Sequence, residues 1–267
     1  MKLSVIIPSY KDPLLFKTVE SLLTNSELKK EELEIILVMD GYWASNPLLD
    51  DLKGDSRVKV LHLGKNRGMR EAINAGVRIS TGEYLLRTDE HCMFGPGYDR
   101  ILTDKENIKD NWIVVPRRYF LDPKKWEVMD IPFIDYEKLI IGTDRIKFTA
   151  HPWVTRTKER EDKLVDETMA MQGSAWIMSR KHWDTVIGEL QTEGYGPLYQ
   201  DSTEMIFKTW QAGGKMMLNK KTWYAHKHRS FKRTHNINAD ESQKSFDYAM
   251  SVWKDYYTGV VRPLWKI

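Results

Sequence analysis

Three side chains that could bind a divalent cation lie at two places in the chain. Asp89 and His91 are two residues apart directly after a predicted strand, so both can turn toward one ion while Glu90 points away. A third ligand can come from His226 or His228, which alternate along the extended segment WYAHKHR. A carboxylate with imidazoles suits Mn²⁺, and carboxylates also suit Mg²⁺. A strand-end Asp is more often a turn or cap residue, however, and the histidine segment also fits a basic surface loop.

The elements that would position these residues alternate between short apolar runs and amphipathic segments. This alternation is typical of βαβ units and a mainly parallel sheet. Buried strands are predicted over residues 3–8, 33–40, 58–63, 83–88 and 112–115. Helices are predicted over residues 14–24, 69–80, 202–212 and 242–257. Periodicity is weak over residues 121–167, which fit either a β-rich insertion or a mobile acceptor loop.

Polar residues follow three of the predicted strands at their carboxyl ends. These clusters are Pro8, Ser9 and Tyr10; Asp40 and Gly41; and Asp89 to His91. In open α/β sheets, ligands bind beyond the carboxyl ends of the strands. We therefore expect the three clusters to converge on one edge of the sheet.

The composition is that of a water-soluble globular protein, with 41% hydrophobic and 30% charged residues. No run approaches the ~20 apolar residues that a membrane-spanning helix needs, and the first residues do not resemble a signal peptide. We therefore expect no membrane span and a cytoplasmic location, which would be the host cytoplasm if the source is viral. Cys92 is the only cysteine, which excludes an intrachain disulfide. The net charge of +3 neither demands nor forbids a polyanionic partner.

Several segments resemble the family-2 inverting and retaining sugar transferases in matching order. They are VIIPSYKDPLLFKTVESLL, EIILVMDG, GKNRGMREAINAGVRISTGEYLLRTDEH and TEMIFKTWQAGGKM. Four segments more narrowly resemble the polypeptide N-acetylgalactosaminyltransferases: TDEHCMFGPGYDRIL, MQGSAWIMSRKHWDTVIG, DSTEMIFKTWQAGG and AHKHR. The resemblance runs from Leu3 to about Arg229. It implies an α/β GT-A fold, with a Rossmann-like, mainly parallel central sheet flanked by helices. We expect the catalytic domain over residues 1–240 and a C-terminal helical extension over 241–267, packed on the same domain.

The resemblance also implies a uridine-diphosphate (UDP) sugar as donor and Mn²⁺, or Mg²⁺, as cofactor. Asp89, His91 and His226 match the three metal ligands. The residues expected to bind the nucleotide sugar are Pro8, Ser9, Tyr10, Asp40, Arg67, Gly68 and Gly173. Among these, Asp40 matches the acid that reads the uracil ring, and Gly173 lines the sugar pocket.

Three further residues are expected to act in catalysis. Asp201 and Glu204 match the two acids at the start of a helix, where the first acid contacts the sugar or the acceptor. Arg229 would bring a guanidinium to the pyrophosphate, where it can form a bidentate, charge-assisted contact.

Departures from the family's pattern bear on the sugar and on the stereochemistry. Where relatives have a second acid, a Gly-Gly pair and an acid-Asn pair, this chain has Asp40-Gly41, Gly173-Ser174 and Asp201-Ser202. An inverting enzyme needs a general base, and the Ser202 hydroxyl cannot serve as one. Retention is therefore favoured, with the departing phosphate oxygen taking the proton. If Asp201 fills the base position instead, the reaction inverts.

The sequence thus predicts an enzyme that moves a hexose or N-acetylhexosamine from a UDP-sugar to an acceptor hydroxyl. The acceptor stays open between a glycan, a protein Ser or Thr, and a hydroxymethylated DNA base. For DNA, the basic stretches 158–163 and 215–233 would track phosphates. The alternatives are a sugar nucleotidyltransferase, which would need a Gly-rich loop after the first strand, and a non-catalytic UDP-sugar-binding protein, against which three candidate metal ligands argue.

Overall fold

The protein is described by a computed structural model over residues 2–43, 52, 54–143, 146–227 and 239–267. Within these ranges the strands are β1 Leu3–Ser9, β2 Leu33–Asp40, β3 Val58–Leu63, β4 Tyr84–Thr88, β5 Cys92–Phe94, β6 Trp112–Asp122, β7 Glu127–Val128, β8 Glu137–Ile141, β9 Phe148–Pro152, β10 Val165–Glu167, β11 Ala175–Ser179 and β12 Lys215–His226. The helices are α1 Leu15–Thr24, α2 Met69–Ile79, α3 Tyr98–Leu102, α4 Val154–Glu159, α5 Arg180–His182, α6 Asp201–Gln211, α7 Ala239–Tyr256 and α8 Arg262–Trp265. Two π-helical turns, Trp183–Ile187 and Tyr257–Val261, continue α5 and α7.

One central sheet organises the described residues, with the strand order β3-β2-β1-β4-β11-β6-β12-β10. Strands β3, β2, β1 and β4 are parallel neighbours, and so are β6 and β12. Strand β11 is antiparallel to β4 and β6 on either side of it, and β10 is antiparallel to β12. The predicted mainly parallel α/β sheet is confirmed, with one antiparallel strand in its middle.

Helices cover both faces of the sheet, which explains why most positions of its central strands are apolar. On one face, Val19 and Leu22 of α1 pack with Val5 of β1. On the other, Ala72 and Ile73 of α2 belong to a second buried cluster with the remaining strand positions. The predicted strands over 3–8, 33–40, 58–63 and 83–88 and the predicted helices over 14–24 and 69–80 are confirmed to within one residue at each end.

The basic stretch from Lys215 as far as His226 is strand β12, so the surface loop considered as an alternative for the histidine segment does not extend over these residues. Its apolar residues place it in the sheet, because Met216 and Leu218 are fully buried. Lys220 is 9% exposed, and its ammonium donates to the Arg160 carbonyl at 2.6 Å. Strand β6 is longer than predicted, and residues 121–167 contain β7 to β10, in agreement with a β-rich insertion. Residues 228–233 of the basic stretch lie outside the described residues.

The C-terminal helix α7 packs on the same core as the sheet. Its Trp253 stacks on Phe207 of α6 with ring centroids 5.1 Å apart, and the indole N–H donates to the Tyr195 hydroxyl at 2.6 Å. The division into a catalytic domain and a C-terminal extension, with its boundary at residue 240, stays a prediction. Among the helices of the described ranges, none is both long and apolar enough to cross a membrane.

A buried ion pair joins α2 to α6. Arg70 Nη1 lies 2.5 Å from Glu204 Oε2, and the two side chains are 0% and 1% exposed. The other Glu204 oxygen accepts from Lys208 Nζ at 2.7 Å, while Arg70 also donates to the Tyr199 carbonyl at 3.0 Å through Nε. The guanidinium is therefore fully enclosed and depends on the carboxylate for charge neutralisation.

We expect Glu204→Ala to lower the free energy of unfolding by about 3–5 kcal/mol, because it leaves a buried guanidinium without its counter-charge. Urea denaturation followed by far-UV circular dichroism measures this change. The matched control is Glu189→Ala, which removes the exposed pair between Arg78 and Glu189 and should cost less than about 1 kcal/mol. Equal, small losses in the two variants would contradict the prediction.

Candidate active site

The ends of β4 and β12 bring the three predicted metal ligands together. Asp89 directly follows β4, His91 directly precedes β5, and His226 ends β12, which pairs with β5. Asp89 Oδ2 lies 3.2 Å from His226 Nε2 and 3.7 Å from His91 Nε2. One ligand atom from each residue lies within 4.8 Å of the others. We call these residues the ligand triad.

The triad's geometry fits a single ion. Ligand atoms at about 2.1 Å from one ion lie roughly 3–4 Å from each other, and the Asp89 oxygen lies 3.2 Å and 3.7 Å from the two imidazole nitrogens. The other nitrogen of His91, Nδ1, is 2.9 Å from Asp12 Oδ2, and both side chains are buried. A carboxylate on the far nitrogen fixes the ring and leaves Nε2 for the metal. One carboxylate with two imidazoles suits a transition ion such as Mn²⁺ better than Mg²⁺, which prefers oxygen ligands.

Arg87 keeps the Asp89 carboxylate of the triad ionised. It is 2% exposed, donates to Asp89 Oδ1 at 2.6 Å through Nη2, and donates to the Gly173 carbonyl through Nη1. Burial raises the pKa of the Asp89 carboxyl, but the charge of Arg87 and the neighbouring imidazoles of His226 and His91 outweigh it and hold that pKa well below its ordinary value. Asp89 is therefore ionised at neutral pH. Arg87 occupies one of its oxygens and leaves Oδ2 facing the imidazoles.

A cavity of about 340 Å³ opens beside the triad. Its walls are Met69, Arg87, Asp89, His91, Gln172, Gly173, Ser174, Leu198, Tyr199, Asp201 and His226. Five predicted site residues therefore meet here: the triad, Gly173 and Asp201. Gly173 has a φ of +92°, and a Cβ at that position would lie 3.3 Å from Ser202 Cβ and 3.6 Å from Asp201 Oδ2. Burial raises the pKa of the Asp201 carboxyl, against the opposing charges of Arg87 and Arg70.

A second group of predicted residues meets at the end of β2. Asp40 accepts hydrogen bonds from the backbone N–H of Arg67 at 2.6 Å and of Gly68 at 2.8 Å, one on each carboxylate oxygen. The carboxylate therefore ties the end of β2 to the loop before α2. Its reading of a uracil ring stays a prediction.

The cluster after β1 lies between this group and the triad. Pro8 pairs with Val38 inside the sheet, and the Ser9 hydroxyl bonds to the Tyr42 hydroxyl at 2.6 Å. The Tyr10 N–H donates to Glu90, which directly follows Asp89, at 3.0 Å. Because β2, β1 and β4 are parallel neighbours, the three strand-end clusters lie at one edge of the sheet, as expected, and of the three only the cluster after β4 lines the cavity.

Two of the residues expected in catalysis are not placed at the cavity. Glu204 does not line it, and both of its oxygens are held by Arg70 and Lys208. Its direct catalytic role stays a prediction that draws no support from this position. Arg229, like the alternative ligand His228, lies outside the described residues.

Three residues at the candidate site were not predicted from the sequence: Asp12, Arg87 and Gln172. Asp12 lies in the quoted segment after β1, but its partner His91 is 79 residues away. Arg87 sits within an apolar strand run, and its partner Gly173 is 86 residues away. Its position inside an apolar run could have indicated a structural or functional role, because a buried arginine requires partners for its charge.

The strand order and the triad beyond the end of β4 define the chain as a GT-A-type α/β fold of the glycosyltransferases. The chain belongs to glycosyl transferase family 2, whose family model matches residues 4–186. The fold is similar to the crystal structure of GalNAc-T7 with UDP, GalNAc and Mn²⁺, with a TM-score of 0.77, 19% identity, and coverage of 96% of this chain and 50% of that chain.

Curated relatives point in the same direction. The chain is 26% identical over 223 residues to polypeptide N-acetylgalactosaminyltransferase 4 of Mus musculus, covering 81% of this chain and 38% of the relative. It is 24% identical over 221 residues to polypeptide N-acetylgalactosaminyltransferase 5 of Caenorhabditis elegans, covering 80% of this chain and 35% of the relative. The chain therefore spans less than two fifths of the length of these two relatives.

We expect Asp12→Asn to weaken Mn²⁺ binding by about 10- to 100-fold, because a metal-ligating histidine loses its anionic partner. Isothermal titration calorimetry with Mn²⁺ as the probe measures the effect. Asp130→Asn, at an exposed position, is the matched control and should leave the affinity unchanged. An unchanged dissociation constant for Asp12→Asn, in a variant that melts like the wild type, would refute the role of Asp12.

Proposed function

We propose that the protein is a metal-dependent glycosyltransferase that moves a hexose or N-acetylhexosamine from a UDP-sugar to an acceptor hydroxyl. The observation that carries this proposal is the ligand triad at the edge of a cavity that also contains Gly173 and Asp201. The relatives named as polypeptide N-acetylgalactosaminyltransferases support the reaction class. GalNAc-T7, which was solved with UDP, GalNAc and Mn²⁺, supports the donor and the ion.

The triad would hold Mn²⁺ through Asp89 Oδ2 and the Nε2 atoms of His91 and His226. A bound divalent ion neutralises the charge that develops on a diphosphate leaving group. The protein's own part is to prepare these ligands: Arg87 keeps Asp89 ionised, and Asp12 orients the His91 ring. Arg229 is proposed as a second cation on the pyrophosphate.

The uridine is proposed to lie at the ends of β1 and β2. Asp40, held by the loop at Arg67 and Gly68, would meet the base, and the cluster from Pro8 to Tyr10 would form the adjoining wall.

Transfer with retention of the anomeric configuration is our first proposal for the stereochemistry. Ser202, at the position where relatives have a second polar residue, has a hydroxyl that cannot act as a general base near neutral pH. The departing phosphate oxygen would take the proton from the acceptor on the same face of the sugar. One observation favours inversion as a second candidate: Asp201 lines the cavity, and burial raises the pKa of its carboxyl, which strengthens it as a base.

The acceptor is proposed to be a hydroxyl on a protein or a glycan. The names of the relatives favour a polypeptide. A DNA acceptor draws less support, because cations in the basic stretch 158–163 are paired locally: Arg160 with Asp166 at 2.8 Å and Lys163 with Asp162 at 2.9 Å. Cations that are already paired gain less from contact with phosphates. The cytoplasmic location stays a prediction.

The proposal predicts release of UDP from at least one UDP-sugar in the presence of Mn²⁺, and none after removal of the ion with EDTA. Asp89→Ala and His226→Ala should each reduce release by more than about 100-fold, because losing even an outer partner of a metal ligand reduces activity by about 10- to 100-fold. Free UDP is measured with a coupled assay across a panel of donors. Far-UV circular dichroism checks that the variants fold.

Matched controls are Asp184→Ala and His151→Ala, both at exposed positions, which should release UDP like the wild type. Binding of UDP-sugars without release would identify a non-catalytic binding protein. Formation of a nucleotide sugar from a nucleoside triphosphate and a sugar phosphate would identify a nucleotidyltransferase.

The configuration of the product, read by NMR at the anomeric carbon, tests the stereochemistry. If the reaction retains, Ser202→Ala should change kcat by less than about tenfold, since no proton transfer depends on that hydroxyl. If it inverts with Asp201 as base, Asp201→Asn should lower kcat by about 10²- to 10⁴-fold. An inverted product would overturn our first proposal.

A further inference from the structure

A chain of buried hydrogen bonds ends at one wall of the cavity. Gln172, which lines the cavity, accepts at Oε1 from Arg118 Nη1 and from the Ser174 hydroxyl at 2.8 Å. Arg118 is 5% exposed and donates through Nη2 to Glu137 Oε1 at 2.8 Å. The Tyr224 hydroxyl lies 2.7 Å from the Ser174 oxygen. The Gln172 carboxamide is therefore held from behind by two separate partners.

These partners fix which way the carboxamide points. A guanidinium has only donors, so the atom of Gln172 that faces Arg118 must be the oxygen. The Ser174 hydroxyl donates its hydrogen to the same oxygen, and it can accept in turn from the Tyr224 hydroxyl. Both acceptor positions of Oε1 are then filled. The nitrogen, Nε2, has no hydrogen-bond partner among the residues that the structure describes. Its two N–H groups remain available to a molecule in the cavity.

A hydrogen-bond acceptor lies near the Gln172 N–H groups. The Asp201 carboxylate, a hydrogen-bond acceptor, lines the same cavity. It lies close to Gly173, the neighbour of Gln172 in the chain, because a Cβ on Gly173 would lie 3.6 Å from Asp201 Oδ2. A sugar hydroxyl both accepts and donates a hydrogen bond. A neutral amide donor and a carboxylate acceptor on one cavity therefore match the hydroxyls of a sugar ring. The diphosphate would instead face the ion at the triad.

We infer that Gln172 is a specificity-determining residue whose carboxamide N–H donates to one hydroxyl oxygen of the transferred sugar. This inference rests on the proposed function. Because Arg118 and Ser174 hold the amide in one orientation, it cannot turn to offer its oxygen to a different sugar. A donor that lacks the hydroxyl leaves the N–H without a partner, which a buried site penalises.

The test uses two variants of the full chain. Gln172→Glu keeps an oxygen for Arg118 and Ser174 but removes the N–H donors, whereas Gln172→Leu removes both functions. Gln211→Glu, at an exposed position on α6, is the matched control. The measurements are kcat/KM for UDP release from the best UDP-sugar, the same for its single-deoxy analogues, and the dissociation constant of UDP.

For the parent donor, we expect kcat/KM to fall about 10- to 100-fold in both variants, as for loss of a hydrogen bond within a buried site. UDP binding should stay within about threefold of wild type for Gln172→Leu, since the amide faces the sugar and not the nucleotide. With one deoxy donor, wild type and Gln172→Leu should become nearly equal, because the missing hydroxyl and the missing N–H report the same contact.

Equal losses with every deoxy donor, or weakened UDP binding in Gln172→Leu, would assign Gln172 a structural role and overturn the inference. Gln172→Glu also brings a negative charge toward the diphosphate, which can weaken UDP binding by repulsion. If the two variants differ in UDP binding, the result for the uncharged variant Gln172→Leu is therefore the one that tests the inference. Failure of the proposed function is a separate result, because wild type itself would then release no UDP from any donor.

Discussion

The guanidinium of Arg87 joins the two halves of the candidate site. One of its nitrogens donates to Asp89 and the other to the Gly173 carbonyl, and the whole group is enclosed under the cavity. Its positive charge keeps the Asp89 carboxylate ionised despite burial. The same group fixes the backbone before β11, where the wall of the cavity begins. Ion binding and the position of Gly173 therefore depend on one buried cation.

This junction exists because β11 runs against its neighbours. Because β11 is antiparallel to β4, its first residue lies beside the last residue of β4. The residues before β11 therefore lie at the carboxyl end of β4. The Asp89 N–H donates to the Ser174 carbonyl at 2.9 Å, and Ala175 pairs with Thr88. A fully parallel sheet would have placed the residues before β11 at the opposite edge. One reversed strand thus brings residues far apart in the sequence to a single cavity.

The sequence predicts well those features that one strand or one motif contains. The first four strands are mostly apolar because helices cover both sheet faces, and the triad residues end or follow strands. Contacts between distant segments are harder to predict. Asp12 behind His91 and Arg118 behind Gln172 become visible only when strands pair. Strand β12 was obscured by its lysines, since Lys220 is buried with its ammonium over the Tyr136 ring, Nζ lying 4.9 Å from the ring centroid.

Gly68 shows how finely the shape of the cavity is set. It directly precedes α2 with a φ of +90°, and a Cβ there would lie 2.3 Å from the Pro197 side chain and 2.6 Å from the Pro197 carbonyl oxygen. The next two residues, Leu198 and Tyr199, are cavity walls. A single methyl group at position 68 would therefore act as a wedge between helix and loop, and it would reshape a ligand-binding surface from behind without ever touching the ligand.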